Sequence, residues 1–274
     1  MSSPRLGGQL PAALAAIIPL MTQNPFSLQG KNALVTGSQV GLGAGIAIAF
    51  AQAGANVVIN GIDNRGIDDV CAAVRAAGTK PVVAIGDVSD AQVCEDLVAT
   101  TVRELGSIDI LVNNAGIIRR QPAVEFSAKN WSDVIEINLN AVFRFCQFAG
   151  RHMLAQGSGK IINIASLLSF QGGILVPSYA AAKGAVAQLT KALANEWAPK
   201  NVNVNAIAPG YMATDNTAAL RADPARSKSI LERIPAARWG TPQDVGGTAV
   251  FLASPASDYI NGHVLVVDGG WLAR

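Results

Sequence analysis

The sequence predicts one α/β domain built on a parallel sheet of about seven strands, with helices on both faces. Short runs rich in β-branched apolar residues alternate with longer alanine-rich stretches. The short runs are continuously apolar, as expected for strands that are buried on both faces. The chain has 274 residues, half of them apolar, which is enough for one domain with a large core. The repeated order of strand and helix indicates a doubly wound parallel sheet.

The candidate strands and helices follow one another without an internal repeat. The strands begin near residues 32, 56, 80, 108, 160, 201 and 262, with the segments NALVTG, NVVING, KPVVAIG, IDILVNN, KIINIAS, NVNVNAIA and GHVLVVDG. The helical stretches between them include 41–53, 64–77, 90–105, 127–155 and 178–199. Residues 208–243 form the one long irregular stretch, between the last two strands. Ligands bind beyond the carboxyl ends of strands in this fold class, so we expect this insertion to act as a substrate lid.

The first 25 residues differ from the rest, and we expect the folded domain to cover residues 26–274. The run LPAALAAIIPLM, residues 10–21, is apolar but too short to span a bilayer. The N-terminal extension is then either disordered or upstream of a true start at Met21. A secretory signal peptide stays open as an alternative for this segment.

Charge and cysteine content exclude several classes of protein. The net charge is +2, from 21 basic and 19 acidic residues, and no long basic cluster is present, so we expect neither a nucleic-acid nor a membrane partner. The three cysteines are far apart in sequence, and the two histidines lack the spacing of a metal site. We therefore expect no bound metal, a cytoplasmic location and a small-molecule ligand.

A glycine-rich loop follows the first predicted strand. Gly37, Gly41 and Gly43 stand between the strand NALV and a predicted helix. A strand, a glycine turn and a helix in this order let the backbone approach a pyrophosphate at the positive helix N-terminus. The alternative is a tight turn that needs positive φ angles.

Two further loops at the ends of predicted strands suit the same ligand. Asp87, in GDVSD, follows the third strand, and its carboxylate could accept a hydrogen bond from an adenine amino group. The segment NNAG, residues 113–116, ends the fourth strand, and its asparagines could hold the glycine loop close to a cofactor. Either segment alone would be ordinary turn chemistry.

Tyr179 and Lys183 stand four residues apart in a predicted helix and therefore share one face. A nearby cation favours the ionised form of a phenol, so the pair predicts a proton donor and acceptor. Ser166 ends the strand KIINIAS, where its hydroxyl could hold a substrate oxygen beside the phenol. The alternative is a surface tyrosine whose ring packs while Lys183 is solvated. The sequence lacks a G-x-S-x-G elbow and a G-x-x-x-x-G-K-[ST] loop, which argues against a hydrolase or a nucleoside triphosphatase.

From about residue 26 to its end, the chain resembles the short-chain dehydrogenase/reductase family. The resemblance rests on TGSQVGLG, GDV, NNAG, INLN, Ser166, YAAAK and PGYMAT, in the family's order and spacing. It implies a single-domain Rossmann-like fold, a homotetramer or homodimer, and hydride transfer between a nicotinamide and an alcohol or ketone. The resemblance implies cofactor contacts at Gly37, Gly41, Leu42, Gly43, Asp87, Val88, Asn114, Tyr179, Lys183 and Thr214.

The same resemblance implies a role for each catalytic residue. Tyr179 is the acid and base, and Ser166 orients the substrate oxygen. Lys183 lowers the pKa of the phenol and binds the nicotinamide ribose. Asn138, in INLN, holds a water in a proton relay to Lys183, and Thr214 contacts the nicotinamide carboxamide.

The sequence departs from the family pattern at the end of the second strand. Many NAD-using members have an acidic residue there, whereas this chain has Gly61. Asp63 lies two residues later and could substitute for it. Members that use NADP tend to carry a basic residue at the positions of Val40 or Ile62. Without a cation there for the 2′-phosphate, we expect NAD as the cofactor.

Further segments, among them NNAGIIRR, VPSYAAAK and VDGGWLAR, resemble members of the family that act on sugar acids. Such a substrate carries a carboxylate, and an arginine fork suits that group. Arg119 and Arg120 follow NNAG, and we expect Arg120 to contact the substrate; the alternative is surface salt bridges for both. A gluconate dehydrogenase or 3-oxoacyl reductase using NADP(H), and a non-catalytic NAD(H)-binding sensor, remain alternative functions.

Overall fold

A computed structural model describes residues 24–274. The expectations for an N-terminal extension, a signal peptide or a start at Met21 lie outside the described residues, apart from the short stretch 24–25. The chain enters the first strand after a turn at residues 25–30.

Seven parallel strands form one sheet, which confirms the predicted fold class. The strands are β1 Asn32–Val35, β2 Asn56–Gly61, β3 Pro81–Ile85, β4 Ile110–Asn113, β5 Gly159–Ile164, β6 Val202–Pro209 and β7 Val264–Val267. Their spatial order is β3-β2-β1-β4-β5-β6-β7, and every neighbouring pair is parallel. The order reverses between β1 and β4, which is the place where a doubly wound sheet opens a crevice for a ligand.

Helices cover both faces of the sheet. They are α1 Gly41–Gln52, α2 Ile67–Ala76, α3 Ala91–Leu105, α4 Ala128–Ile135, α5 Ala141–Gln156, α6 Pro177–Trp197, α7 Ala218–Ala222, α8 Pro224–Arg233 and α9 Pro242–Ala253. On one face, α1, α2 and α9 bury side chains such as Phe50 and Val245 against the sheet. On the other face, α3, α5 and α6 bury side chains such as Phe145 and Val186. The two clusters share the strands as a common wall.

The structure corrects two of the element predictions. The helical stretch 127–155 is α4 and α5 joined by a π-helical turn at Glu136–Asn140, which widens the helix for one turn. Residues 208–243, predicted as irregular, contain α7 and α8. The sequence does not indicate α8 because this helix has a narrow apolar face, on which Ile230 is the one buried residue.

Among the helices of residues 24–274, none combines the length and the apolar character needed to cross a membrane. Within the same part of the chain, no three His, Cys, Asp or Glu side chains lie together as a metal site would require.

Candidate active site

A cavity of about 400 Å³ opens at the carboxyl ends of the central strands. The glycine loop after β1 forms one wall, and Tyr179 and Lys183 of α6 form another. Thr214, Asp215 and Asn216, from the segment between β6 and α7, lie over it. The cavity thus brings together most of the site residues that the sequence predicts.

The glycine loop needs its glycines for two different reasons. Gly37 and Gly41 have φ angles of +60° and +61°, which side-chain-bearing residues rarely adopt. At Gly43, a Cβ atom would lie 2.3 Å from the Gly37 carbonyl oxygen and 2.5 Å from Asn114 Nδ2. Helix α1 begins at Gly41 with no side-chain cap and no acidic residue in its first turn. Its first N–H groups are therefore available to an anionic ligand, and Leu42 lines the cavity beside them.

Asn114 and Thr36 hold the glycine loop against the end of β4. Asn114 Nδ2 donates to the carbonyl oxygens of Thr36 and Gly37, at 2.9 and 3.0 Å. The Thr36 hydroxyl accepts from the backbone N–H groups of Asn114 and Ala115, both at 3.0 Å. Asn114 thus braces the loop, in the way that the NNAG segment suggests.

Asp87 and Val88 line the cavity at the end of β3. The Asp87 carboxylate is exposed and accepts a hydrogen bond from the Ser89 N–H at 2.9 Å, so one of its oxygens is already engaged. Val88 is buried, with 6% of its surface exposed. The pair provides one apolar and one acidic surface at this end of the cavity.

Tyr179 and Lys183 share one face of α6, as their spacing predicts. Lys183 Nζ lies 5.6 Å from the centre of the Tyr179 ring and donates to the Ile164 carbonyl oxygen at 2.5 Å. The lysine is buried, with 3% of its surface exposed. The Ser166 hydroxyl hydrogen-bonds with the Tyr179 phenol and also accepts from the Leu168 N–H at 3.2 Å.

Burial shifts the pKa of both members of the pair. Burial raises the pKa of the Tyr179 phenol above its usual value, and the Ser166 hydrogen bond and the Arg120 charge oppose that rise. Lys183 is not among the groups that lower it. Burial lowers the pKa of Lys183 itself from 10.5 to about 8. The effect of Lys183 on the pKa of the phenol stays a prediction.

Asn138 lies in the π-helical turn and is completely buried. Its Oδ1 accepts from the Ile117 N–H and its Nδ2 donates to the Ile117 carbonyl oxygen, both at 2.8 Å. This side chain therefore holds the loop after NNAG, which lines the cavity. The water relay to Lys183 stays a prediction.

Arg120 lies at the edge of the site and reaches the predicted lid. One guanidinium nitrogen is 3.5 Å from the Asn216 carbonyl oxygen, and its charge acts on the Tyr179 phenol. Thr214, in the same segment as Asn216, packs its methyl group beside Gly41, where an added Cβ would lie 3.8 Å from it. Neither Arg119 nor Arg120 is among the residues that line the cavity.

The cavity residues that the sequence interpretation did not name as site residues include three polar ones: Gln39, Asn60 and Arg65. Asn60 is buried in β2, where its Oδ1 accepts from the Gly37 N–H at 3.0 Å and its Nδ2 donates to the Gly86 carbonyl oxygen at 3.2 Å. A polar residue inside the otherwise apolar segment NVVING is the signal that could have identified it. Gln39 and Arg65 stand next to motif positions and carry no such signal.

Two serines near the pair differ in their contacts. Ser178 is the second residue of α6, and its buried hydroxyl has no hydrogen-bond partner within residues 24–274. Ser169 is in a short 3₁₀ turn and donates to the Lys183 carbonyl oxygen at 2.7 Å. This bond joins the Ser166 turn to the helix of Tyr179.

Comparisons with known proteins show which family the chain is similar to. A family model described as enoyl-(acyl carrier protein) reductase matches residues 37–272. A 2-dehydro-3-deoxy-D-gluconate 5-dehydrogenase of Dickeya dadantii is 57% identical over 256 residues, which cover 93% of this chain and all of that protein.

Solved structures give the same result at the level of the fold. A protein of Agrobacterium tumefaciens, provisionally named a 2-deoxy-D-gluconate 3-dehydrogenase and containing NADP, is 53% identical with a TM-score of 0.86 over 92% of this chain and all of that one. A gluconate 5-dehydrogenase of Burkholderia cenocepacia, in complex with NADP and tartrate, is 41% identical with a TM-score of 0.87. That match covers 91% of this chain and 98% of the other. The chain therefore belongs to the short-chain dehydrogenase/reductase family and is an oxidoreductase.

Proposed function

We propose that this protein is a 2-dehydro-3-deoxy-D-gluconate 5-dehydrogenase that uses NAD. It would interconvert a secondary alcohol and a ketone at C5 of this sugar acid, a reaction of uronate and pectin breakdown. The name of the relative from Dickeya dadantii supports the substrate. Tyr179 and Lys183 in the cavity support the reaction type, and Arg120 beside the cavity supports a substrate that carries a carboxylate.

The cavity fits a dinucleotide cofactor. The uncapped N-terminus of α1 and the glycine loop suit a pyrophosphate, and a Cβ atom at Gly43 would collide with the loop. Lys183 and Tyr179 stand at one end of the same cavity, and Asp87 and Val88 line it as well. A nicotinamide cofactor, when bound, would supply the acceptor or donor of the hydride.

The residues of the chain would handle the proton. In the direction of oxidation, Tyr179 would take the proton of the C5 hydroxyl while the C–H hydrogen leaves as a hydride, and reduction would return that proton. Ser166, which hydrogen-bonds with the phenol, would hold the same substrate oxygen. Lys183 would bind the ribose of the cofactor and keep a positive charge near the phenol.

One observation carries the choice of a sugar acid: Arg120 lies close enough for its charge to act on the Tyr179 phenol. A guanidinium beside the reacting group suits a substrate carboxylate, and two parallel hydrogen bonds would fix its orientation. Arg120 also contacts the carbonyl oxygen of Asn216. We propose that residues 208–243 form a substrate lid that this arginine joins to the rest of the site.

The preference for NAD rests on Asp63, whose carboxylate lies next to the end of β2. Hydrogen bonds from Arg65 N–H and Gln39 hold the pKa of this carboxyl below its usual value, so it is ionised at neutral pH. A carboxylate there would accept hydrogen bonds from ribose hydroxyls and oppose a 2′-phosphate. We also propose a cytoplasmic homotetramer or homodimer; all three cysteines are free and buried, as is usual in a reducing compartment.

The test is the absorbance of reduced nicotinamide with a panel of sugar acids, with NAD and NADP in parallel. We expect kcat/KM for 2-dehydro-3-deoxy-D-gluconate with NAD to exceed that for gluconate by at least about tenfold, since a site built for one substrate discriminates by more than 1.4 kcal/mol. Tyr179→Phe should lose about 10²-fold or more of the rate while it stays folded.

Two results would contradict the proposal in different ways. A higher kcat/KM for gluconate would make the protein a gluconate 5-dehydrogenase, the name of the relative from Burkholderia cenocepacia. A folded Tyr179→Phe variant with full activity would remove the phenol from the reaction. Arg120→Ala should raise KM for the sugar acid and leave NADH binding unchanged; an unchanged KM would exclude Arg120 from the pocket.

A further inference from the structure

A buried chain of hydrogen bonds joins β4, β5 and α6. Asn113 Nδ2 donates to Asn163 Oδ1 at 2.8 Å, and Asn163 Nδ2 donates to the Thr190 hydroxyl at 3.0 Å. That hydroxyl in turn donates to the Val186 carbonyl oxygen at 2.8 Å. Asn163 and Thr190 are completely buried, and Asn113 is buried as well. Each member thus donates to the next, from the end of β4 into the middle of α6.

The thiol of Cys146, on α5, adds a fourth element to this chain. Its Sγ accepts from Asn113 Nδ2 at 3.3 Å and lies 3.7 Å from Asn163 Oδ1. Burial raises the pKa of this thiol to about 12, so it keeps its proton at neutral pH and can donate to that oxygen. The Asn163 side chain therefore contacts β4, α5 and α6 at one point of the core.

Polar side chains in an apolar core restrict how the surrounding elements can pack. Asn163 stands between Ile162 and Ile164 in a strand that has β4 and β6 on its two sides. A buried amide that loses its partner costs stability, whereas apolar side chains keep most of their contacts when a helix slides slightly. One position of α6 on β5 brings Thr190 against Asn163, so the hydrogen bond selects that position.

Thr190 lies on the face of α6 that carries the reacting residues. It follows Lys183 by seven residues and Tyr179 by eleven, which are about two and three helical turns. The three side chains therefore leave the helix in similar directions. A hydrogen bond at Thr190 restricts both the rotation of α6 about its axis and its translation along β5.

The partner segment of β5 leads directly to Ser166. Asn163 precedes this serine by three residues. Between them, the Ile164 carbonyl oxygen accepts from Lys183 Nζ, and beyond them the Ser169 hydroxyl donates to the Lys183 carbonyl oxygen at 2.7 Å. Three contacts thus join residues 163–169 to α6. Neither Asn163 nor Thr190 lines the cavity.

We propose that the hydrogen bond from Asn163 to Thr190 positions α6 on β5 and thereby aligns the reacting groups of α6 with the Ser166 hydroxyl. Asn163 and Thr190 are positioning residues, which act through Tyr179 and Lys183. The inference rests on the proposed function for the roles of Ser166 and Tyr179 and is independent of the identity of the sugar acid. A small misplacement of reacting groups lowers the rate of the chemical step more than it lowers affinity.

Two substitutions of Thr190 test the proposal. Thr190→Val keeps the shape of the side chain and removes the hydroxyl, so we expect kcat to fall about tenfold or more. The dissociation constant of NADH and KM for the sugar acid should each change less than about twofold, because the cavity lining is intact. Thr190→Ser keeps the hydroxyl and should hold kcat within about twofold of the wild-type value.

Thr101 provides a matched control in α3. It is completely buried, and its hydroxyl donates to the Leu97 carbonyl oxygen at 2.8 Å, as that of Thr190 does to Val186. Within residues 24–274 the Thr101 hydroxyl has no second partner, so Thr101→Val removes the bond inside the helix without breaking a link between elements. We expect this variant to keep kcat within about twofold of the wild-type value.

A double variant separates position from stability. Asn163→Leu combined with Thr190→Val removes both partners and leaves neither of these two groups unsatisfied. It should therefore fold, with a Tm closer to that of the wild-type protein than the Tm of Thr190→Val, and still lose kcat about tenfold or more.

Amide hydrogen exchange of residues 177–183 gives a readout that needs no substrate. Exchange of this segment should be faster in Thr190→Val than in the wild-type protein or in Thr101→Val, since α6 is then less firmly held on β5.

The inference would be overturned by wild-type kcat in Thr190→Val, by equal losses of kcat in Thr190→Ser and Thr190→Val, or by an equal loss in Thr101→Val. Wild-type exchange of residues 177–183 in Thr190→Val would also overturn it. If the wild-type protein turns over none of the sugar acids, the proposed function fails, and the exchange measurement alone decides this inference.

Discussion

Burial and polar contacts act in opposite directions on the Tyr179 phenol. Its pKa is raised by loss of water and lowered by Ser166 and Arg120. The net rise keeps the phenol protonated at neutral pH, which suits a proton donor for ketone reduction. Oxidation needs the phenolate, so its rate should increase toward alkaline pH. The residues that tune the phenol are thus also those expected to hold the substrate.

Lys183 should destabilise the free protein at neutral pH. Its pKa is about 8 in the folded protein against an ordinary 10.5, because the buried ammonium is poorly solvated. This difference corresponds to roughly 3 kcal/mol at 1.36 kcal/mol per unit, less about 1 kcal/mol for the hydrogen bond to Ile164. We expect Lys183→Met to raise the free energy of unfolding at pH 7 by about 1–2 kcal/mol and to abolish activity.

The pH dependence of this effect has a defined sign. Below pH 8 both the folded and the unfolded state carry the proton, so the full cost is present. Between about pH 8 and 10.5 the unfolded chain binds more protons, so wild-type stability rises with pH and the advantage of Lys183→Met shrinks. Urea unfolding at pH 7 and pH 9.5 measures both the stability of the wild-type protein and the advantage of Lys183→Met. Lys191→Met, at an exposed lysine of the same helix, is the control; an advantage of Lys183→Met that grows with pH would contradict the prediction.

At the scale of elements, the π-helical turn between α4 and α5 places Asn138 against the loop after NNAG. An amide that pairs with both backbone groups of one residue acts as a clamp on Ile117. The turn of five residues, Glu136–Asn140, interrupts the α-helical spacing and directs this side chain into the core. The loop that it fixes also carries Arg120, so the clamp supports the expected substrate contact.

Replacing Asn138 tests how its two hydrogen bonds to Ile117 contribute to stability. Asn138→Ala leaves the Ile117 N–H and carbonyl without these partners, and we expect a loss of about 2–4 kcal/mol in the free energy of unfolding. Asn138→Asp keeps an acceptor for the N–H but loses the donor and buries a charge. Its loss in the free energy of unfolding should therefore be at least as large as that of Asn138→Ala. Asn195→Ala, at an exposed asparagine of α6 whose side chain makes no hydrogen bond within residues 24–274, is the control. If the Ala variant unfolded like the wild-type protein, Asn138 would not brace the loop.

The sheet and the juxtaposition of Tyr179 and Lys183 could be predicted from the sequence because each depends on local pattern. Continuous apolar runs identify buried strands, and a spacing of four residues places Tyr179 and Lys183 on one helix face. The reason for a glycine at position 61 could not be predicted, since it depends on a neighbour in space: a Cβ atom there would lie 2.2 Å from Gln39 Oε1. Spacing reveals a nearby cation but not burial, which acts on the pKa of both Tyr179 and Lys183. Helix α8 could not be predicted either, because its apolar face is narrow.

At the scale of the whole molecule, the C-terminal turn connects the predicted lid to Ser166, the serine proposed to hold the substrate oxygen. Trp271 is buried, with 5% of its surface exposed, and packs with Leu167, the residue after Ser166. The Arg233 guanidinium of α8 stacks over the Trp271 ring, 4.0 Å from its centre. The Trp271 Nε1–H donates to Gln171 Oε1 at 3.3 Å. Arg274 donates to the Glu232 and Arg233 carbonyl oxygens, which ends α8 against the same turn. Three segments that are distant in sequence thus meet at Trp271.

Removing this side chain should loosen the lid without affecting the cofactor end of the cavity. We expect Trp271→Ala to raise KM for the sugar acid by about tenfold and to speed tryptic cleavage at the exposed Arg221 and Arg226, since a buried Trp→Ala change costs about 3–5 kcal/mol of packing. The dissociation constant of NADH should change by less than about twofold, because the turn does not line that cavity. Trp271→Phe keeps most of the packing and loses the hydrogen bond to Gln171. Its KM and its rate of tryptic cleavage should therefore lie between those of the wild-type protein and those of Trp271→Ala. Trp131→Ala, at a tryptophan that is 44% exposed on α4, is the control. Unchanged cleavage and KM in Trp271→Ala would show that the C-terminal turn does not hold the lid.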